Sequence, residues 1–188
     1  MSESIDQFIA RTNGHSKSLS VWGAVLIFLS VFSLLQVGYG ACRGTWVEHL
    51  VIGRLTVAPS VELINRLTPS VGVQAMGNRL VAPGGGITVL KGCEGTEVMF
   101  MLTAAFAAVV MPWRRRLIGL GLGILLVFGL NQIRLVALFY AFRADPSLFD
   151  LLHGILAPIA LVIAVALYVM YWMGYAAGIP NSDASAAT

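Results

Sequence analysis

Three side chains of this sequence have the types that acyl transfer requires: a thiol, a guanidinium and an imidazole. They are Cys93 in the stretch KGCEGTE, Arg134 in NQIR and His153 in LLHGILAP. A thiolate attacks carbonyl carbon, an imidazole can take up the thiol proton and return it to a leaving amine, and a fixed cation can stabilise the oxyanion. If the fold brings these residues together, they can cleave an amide bond by nucleophilic attack.

Cys93 lies directly before an apolar stretch, in a short segment rich in glycine. Gly92 and Gly95 leave its thiol approachable, and the N-terminus of a helix that starts after it would lower the thiol pKa and favour the thiolate. A small buried thiol, or one half of a disulfide with Cys42, fits the same position. The position of Cys93 alone therefore leaves a structural role open.

Arg134 stands inside an apolar stretch, where a charge is costly. An arginine at the centre of a spanning helix costs about 2.5 to 3.5 kcal/mol on insertion scales, so it normally faces a partner or a cavity. Asn131 precedes it by three residues and therefore lies on the same helix face. The structural alternative is an arginine that only holds Asn131 or a backbone carbonyl in a packed bundle.

His153 precedes the last apolar stretch and is the acid/base candidate for Cys93. A lone histidine at a membrane interface is more often structural, so this assignment depends on the other two residues. Four carboxylates could orient His153 or could simply be solvated: Glu94, Glu97, Asp145 and Asp150. We expect no cofactor and no metal ion at this site.

The composition is that of an integral membrane protein. Of the 188 residues, 57% are hydrophobic and only 11% are charged, and the mean hydropathy is +0.82, which is too apolar for a water-soluble domain of this size. Four segments approach the roughly 20 apolar residues of a spanning helix: 19–38, 96–111, 117–142 and 154–175. The sequence therefore predicts an all-α integral membrane protein, a compact bundle of about four transmembrane helices.

Lysines and arginines near the ends of these segments predict the orientation. Five lie on one side (Arg11, Lys17 and residues 114–116) and three on the other (Arg43, Lys91 and Arg143). Cytoplasmic ends carry the excess, so both termini are predicted to be cytoplasmic. We expect a cytoplasmic tail at residues 1–18, a single domain at 19–175 whose first span is a retained anchor, and a disordered tail at 176–188. With no basic stripe among exposed aromatics, nucleic-acid binding has no support.

The loop at residues 39–92 is the only substantial extracytoplasmic insertion, and its pattern predicts helices followed by a β-hairpin. Residues 44–67 have helical spacing broken by Pro59, which predicts two short surface helices. Strands are predicted at 71–81 and 87–90, joined by a turn at 83–86. In the third span, Gly119 and Gly123 form a small-xxx-small face for close helix contact.

In order and placement these motifs resemble the exosortase/archaeosortase family of membrane-embedded cysteine transpeptidases. The resemblance rests on GCEG at the start of one span, NQIR late in the next and an outward His153 at the start of the last, after the hairpin stretch GNRLVAPGGGITVLKG. It covers roughly residues 57–173. The chain is similar to the short bacterial exosortases, such as the H type. It departs from the family at Glu94, where Ser or Asn is common, and this carboxylate would raise the pKa of the neighbouring thiol.

The resemblance implies an enzyme that recognises surface proteins by a C-terminal sorting signal of the PEP-CTERM kind: a short motif, a transmembrane helix and a basic end. Cys93 would be the nucleophile, His153 the general acid/base, and Arg134 would stabilise charge or orient the thiol or substrate; Asn131, Glu94 and Glu97 are supporting candidates. An acceptor at the outer face of the cell membrane, a lipid amine or a cell-surface polymer, would then take the acyl group from the enzyme.

A protein of another class also fits the same residues. In a non-enzymatic membrane subunit or a small transporter, Arg134 would bind an anion and Cys42 would form a structural disulfide with Cys93. A thiol-redox protein is less well supported, because the sequence has no C-x-x-C motif. Labelling of a free Cys93 thiol from outside the cell discriminates between the enzyme and the disulfide.

The orientation gives a direct test. We expect a reporter fused after Arg116 to be active in the cytoplasm, and one inserted in the turn at residues 83–86 to be active outside, because basic residues remain on the cytoplasmic side. Compartment-specific reporter activity measures both. A cytoplasmic signal from the insertion at 83–86 would place Cys93 on the wrong side of the membrane for protein sorting.

Overall fold

The computed structural model describes residues 20–90 and 92–178. Its helices, in chain order, are α1 (Val21–Ala41), α2 (Trp46–His49), α3 (Ala58–Leu67), α4 (Thr96–Ala108), α5 (Trp113–Ala144), α6 (Pro146–Leu151) and α7 (Ala157–Gly178). A π-helical segment, Leu50–Val57, joins α2 to α3, and a second, Leu152–Leu156, joins α6 to α7. Three antiparallel strands follow α3: β1 (Gln74–Met76), β2 (Arg79–Ala82) and β3 (Gly85–Thr88).

The predicted fold class is confirmed: the described part of the chain is mostly helical, and it contains three helices long and apolar enough to cross a membrane. These are α1, α5 and the continuous helix Pro146–Gly174, while α4 is apolar but shorter. The helix predicted at 96–111 ends at Ala108, because Val109 adopts an extended conformation. The last helix begins at Pro146 instead of at 154 and reaches Gly178, so residues 176–178 are helical and not part of a disordered tail. The tails predicted at 1–18 and from 181 onward lie outside the described residues.

The prediction of two surface helices separated at Pro59 was wrong, since Trp46 to Leu67 form one helical run. Pro59 lies in the first turn of α3, where a missing N–H is tolerated. The wider turns of the π segment pair the N–H of Ala58 with the carbonyl of Gly53. Pro59 has no N–H to donate to the carbonyl of Leu55, and the side-chain amide of Gln132 donates to that oxygen at 3.5 Å.

The strand predicted at 71–81 was also wrong as a single element. Residues Pro69–Val71 form a 3-10 turn, and a tight turn at Gly77 and Asn78 divides the rest into β1 and β2. Gly77 has a φ of +63°, which is the backbone conformation that two-residue hairpin turns need. The predicted hairpin turn lies between β2 and β3, where Ala82 pairs with Gly85. The insertion is therefore a three-stranded sheet.

The sheet and the helical run enclose the C-terminal half of α5 in a hydrophobic core. Buried residues from both parts meet the same face of α5, among them Val57, Ile64, Leu80, Val89, Leu135, Leu138 and Phe139. Arg143 at the end of α5 donates to the carbonyl of Pro83 in the turn between β2 and β3. The face of α5 that carries Asn131 and Arg134 is thus buried in protein, whereas Ile133 between them is exposed.

A second core lies at the other half of α5, where the two predicted small residues pack against aromatic side chains. A methyl group added to Gly119 would come within 2.4 Å of Trp172 and 2.6 Å of Phe106. One added to Gly123 would come within 2.8 Å of Leu102 and Tyr168. The predicted close contact is confirmed, and side chains of α4 and α7 fill the space beside both glycines.

These glycines give a matched stability test. Gly119→Ala should lower the melting temperature in detergent, because the added methyl group overlaps aromatic rings and overpacking costs about 1 to 3 kcal/mol. Gly121→Ala is the control, because nothing lies within 4 Å of its added methyl group; it should be neutral or slightly stabilising through helix propensity. Equal melting temperatures for the two variants would contradict the packing described.

Candidate active site

Cys93 is held in a tight turn between β3 and α4. Its N–H donates to the carbonyl of Leu90 at 3.0 Å, and the glycines on either side, Gly92 and Gly95, have φ values of +88° and +81°. A side chain at either position would strain this backbone. Gly95 also has no room for one, because an added methyl group would lie 3.0 Å from the amide carbon of Asn131. The turn fixes Cys93, which is only 6% exposed.

Two polar residues of α5 meet this turn. Asn131 donates from Nδ2 to the carbonyl of Cys93 at 3.3 Å, and Arg134 donates from one terminal nitrogen to the Cys93 Sγ at 3.8 Å. Their exposed fractions are 2% and 8%. Asn131 and Arg134 thus share one helix face, as predicted, and both side chains contact Cys93.

His153 approaches the same sulfur from the second π segment. The Cys93 Sγ lies 3.7 Å from Nδ1 and 3.8 Å from Nε2 of His153. Because the two distances are nearly equal, a small rotation of the ring brings either nitrogen to the sulfur. Phe149, one helical turn earlier, stacks on the imidazole with ring planes 4° apart and centroids 5.4 Å apart, which limits how far the ring can turn away.

The electrostatics of the turn differ from the sequence-based expectation for Cys93. Burial raises the pKa of the thiol, the Arg134 guanidinium partly offsets this, and the Glu94 carboxylate raises the pKa further. The expected lowering by the following helix is therefore outweighed, whereas the expected effect of Glu94 is found. The resting site holds a thiol that keeps its proton until a base removes it.

The other predicted residues have separate positions. Glu94 is buried beside Cys93 and accepts from the Thr96 hydroxyl. Asp145 caps α6 through Ser147, and these two hydrogen bonds lower the pKa of its carboxyl. Within the described part of the chain, none of Glu94, Glu97, Asp145 and Asp150 is hydrogen-bonded to His153. That one of these carboxylates orients the imidazole stays a prediction.

The disulfide of the alternative function is absent from the structure, where Cys42 and Cys93 are both free thiols. In residues 20–90 and 92–178, no group of three or more His, Cys, Asp or Glu side chains is placed to hold a metal ion. The candidate site is thus a thiol, an imidazole and a guanidinium, without a ligand set for a metal.

Sequence reasoning missed two residues that position the site. Gln132 ties α5 to the helical run, since it donates to the carbonyl of Leu55 and accepts from the Ser60 hydroxyl at 2.5 Å. Phe149 supports His153 from the same helix. Gln132 could have been found as a polar residue inside an apolar segment. Phe149 could have been found because it lies four residues before His153 and therefore on the same helix face.

One of three comparisons with known proteins gives a match. A family model described as transmembrane exosortase (Exosortase_EpsH) matches residues 70–172, which is more than half of the 188 residues. The matched range contains Cys93, Arg134 and His153. Comparisons with curated proteins and with solved structures give no match.

The two charges beside Cys93 should move its reactivity in opposite directions. In a Cys42→Ala background, alkylation of Cys93 should accelerate as the pH rises through the raised thiol pKa. Glu94→Gln should shift this midpoint down and Arg134→Gln should shift it up, each by roughly one pH unit, because the first removes a like charge and the second an opposite one.

The measurement is the pH dependence of iodoacetamide labelling, followed by intact mass. Arg134→Lys is the matched control, since it keeps the positive charge and should stay nearer to the wild-type midpoint. Identical midpoints in Glu94→Gln and Arg134→Gln would contradict the electrostatic arrangement.

Proposed function

Because this chain belongs to the transmembrane exosortase family, a family of cysteine transpeptidases, we propose that it cleaves C-terminal sorting signals of surface proteins through a Cys93 acyl-enzyme. The observation that carries this proposal is the meeting of three separate segments at one sulfur. The Cys93 Sγ lies within 3.8 Å of both His153 nitrogens and of the Arg134 guanidinium. We further propose that this site faces the extracytoplasmic side of the cell or inner membrane.

Cleavage begins with proton transfer from the buried thiol to His153. The sulfur then attacks the carbonyl carbon of the scissile peptide bond, and charge develops on the carbonyl oxygen. Arg134 is fixed beside the sulfur, so its guanidinium can donate to that oxygen in a site from which water is largely excluded. The imidazolium of His153 returns its proton to the leaving amine, the C–N bond breaks, and the released helix leaves a thioester on Cys93.

A groove between α5 and α7 supports a helical substrate. It is lined by Leu130, Ile133, Arg134, Ala157, Ala160 and Leu161. The two alanines allow a further helix to approach closely, as small residues do at helix contacts in membranes. The apolar helix of a sorting signal would lie in this groove, with its scissile bond beside Arg134 and Cys93.

The alternative of a non-enzymatic membrane subunit or transporter has less support. It needs Cys42 and Cys93 joined and Arg134 free for an anion, whereas both thiols are free and Arg134 donates to the Cys93 Sγ. A cation dedicated to transport would not require a thiol and an imidazole beside it.

The proposal is tested by following a surface protein that carries a motif, an apolar helix and a basic end. Cys93→Ala should abolish its processing, because no nucleophile remains. His153→Ala should slow processing by about 10² to 10⁴, the usual cost of losing a proton-transfer group. The measurement is an immunoblot of the substrate at matched membrane levels of each variant.

Cys42→Ala is the control and should process normally, because Cys42 is not in contact with the three residues. In His153→Ala the Cys93 thiol should remain open to alkylation, which separates a lost base from a misfolded protein. Efficient processing by Cys93→Ala would rule out the acyl-enzyme, and equal loss in Cys42→Ala would favour a shared structural role for the two cysteines.

A further inference from the structure

Arg134 carries a buried positive charge that has no counter-ion among the residues that the structure describes. The ion pair found in this part of the chain joins Glu62 to Arg66 on the surface. Arg134 is 8% exposed, its Nε is buried without a hydrogen-bond partner, and its contact to the Cys93 Sγ is long, at 3.8 Å. While Cys93 keeps its proton, the sulfur supplies no negative charge. A buried charge without an anion is costly.

The carboxylate nearest to Cys93 in the sequence does not supply this anion. Glu94 accepts from the Thr96 hydroxyl at 3.3 Å. It lines an apolar cavity of about 510 Å³ that is enclosed by α1, the first π segment, α4 and α5. Arg134 instead lines the groove between α5 and α7. The two charged groups therefore border different spaces, and an anion that neutralises Arg134 enters from the groove.

The groove lies at the depth of the acyl chains of a bilayer. Residues 114–116 mark one membrane surface, because basic side chains stay at the headgroups. From Arg116 to Arg134, α5 rises by about 27 Å, and the hydrocarbon core is roughly 30 Å thick. Arg134 thus lies near the opposite edge of this core. Leu130 on α5 and Leu161 on the antiparallel α7 lie deeper, so the lining continues from Arg134 towards the bilayer centre.

The groove is open to lipid, and it is narrow. Ile133 is 62% exposed, and Ala160 on the facing helix is exposed as well. The volume of the groove is about 180 Å³, below the roughly 300 to 1,000 Å³ of ordinary small-molecule sites. A space of this size accepts a single alkyl chain and not the two chains of a phospholipid. Apart from Arg134 its walls are apolar, which suits such a chain.

We propose that this groove binds a long-chain fatty acid of the membrane, with its carboxylate beside the Arg134 guanidinium and its chain along Leu130 and Leu161. A planar carboxylate fits the N–H fork of a guanidinium and supplies the negative charge that Arg134 lacks. The proposed function places the helix of a sorting signal in the same groove. The fatty acid and the substrate therefore exclude each other, and this competition alone rests on the proposed function.

A bound carboxylate also changes the reactivity of Cys93. The Arg134 guanidinium lowers the pKa of the thiol, and a carboxylate beside the guanidinium offsets this effect. The thiol therefore ionises less readily while the fatty acid is bound. The occupied groove thus inhibits the enzyme in two ways: it excludes the substrate helix, and it keeps the nucleophile protonated.

Binding can be measured without catalysis. Purified protein is incubated at about pH 8 with equimolar palmitic acid and methyl palmitate, which share one chain and differ in charge, and the retained ligands are quantified by mass spectrometry. Wild type and Cys93→Ala should both retain the acid over the ester by about ten-fold or more, the effect of one charge-assisted hydrogen bond. Arg134→Gln should retain the two probes equally, whereas Arg134→Lys should keep part of the preference, because it keeps the charge.

Two substitutions on α7 test where the chain lies. Ala160→Phe fills the groove and should reduce retention of both probes. Ala166→Phe is the matched control and should bind like wild type, because Ala166 is exposed on the same helix but does not line the groove. Equal retention of acid and ester by wild type, or an unchanged preference in Arg134→Gln, would overturn the proposal. So would stronger retention of phosphatidylglycerol than of palmitic acid in a parallel mixture.

Labelling of Cys93 gives a second readout at the site itself. In a Cys42→Ala background at fixed pH, palmitate should slow iodoacetamide labelling by up to about ten-fold, the effect of one pKa unit of the thiol. Methyl palmitate should leave the rate unchanged, and Arg134→Gln should remove the effect of palmitate. Unchanged or faster labelling in the presence of bound palmitate would contradict a carboxylate beside Arg134.

Processing of a substrate separates this site from the proposed function. Palmitate should raise the substrate concentration needed for half-maximal processing and leave the rate at saturation unchanged, as a competitor does. If palmitate binds with the expected preference but Cys93→Ala still processes the substrate, the proposed function fails while the fatty-acid site stands. If processing requires Cys93 but acid and ester bind alike, the proposed function stands and the fatty-acid site fails.

Discussion

Arg134 carries a permanent positive charge within the apolar span of α5, and the helical run, the sheet and the Cys93 turn are arranged around that charge. The helical run Trp46 to Leu67 and the three-stranded sheet pack against the part of α5 that follows Asn131. A charge in lipid would cost several kcal/mol, but here it is enclosed by protein and directed at the Cys93 sulfur. The same enclosure keeps water from the sulfur, which strengthens the electrostatic interactions of a nearby oxyanion.

Two neighbouring residues of α5 connect this charge to the rest of the fold. Asn131 holds the carbonyl of Cys93, and Gln132 holds the helical run at Leu55 and Ser60. Since the residues are adjacent on one helix, the position of the thiol and that of the covering helix are set together. A shift of the helical run would therefore move the turn that holds Cys93. It would also change the apolar cavity lined by Leu55, Asn131 and Gln132.

The Cys93 thiol lies between two opposite charges: Arg134 lowers its pKa and Glu94 raises it. Burial, the largest effect, also raises this pKa and outweighs Arg134. For a protease acting on any exposed peptide, a neutral buried thiol would be a disadvantage. Under the proposed function, a protonated thiol waits beside His153 until a substrate is bound.

The sequence alone determined the membrane class, the apolar helices, the family resemblance and the three residue types, because hydropathy and the cost of a charge in lipid act along the chain itself. It did not determine the single helical run across Pro59, whose missing hydrogen bond is compensated by Gln132, 73 positions further along the chain. Nor did it determine the raised pKa of Cys93 or the cavity at Tyr39, Glu94 and Asn131. These depend on burial and on distances between separate segments, which only tertiary packing decides.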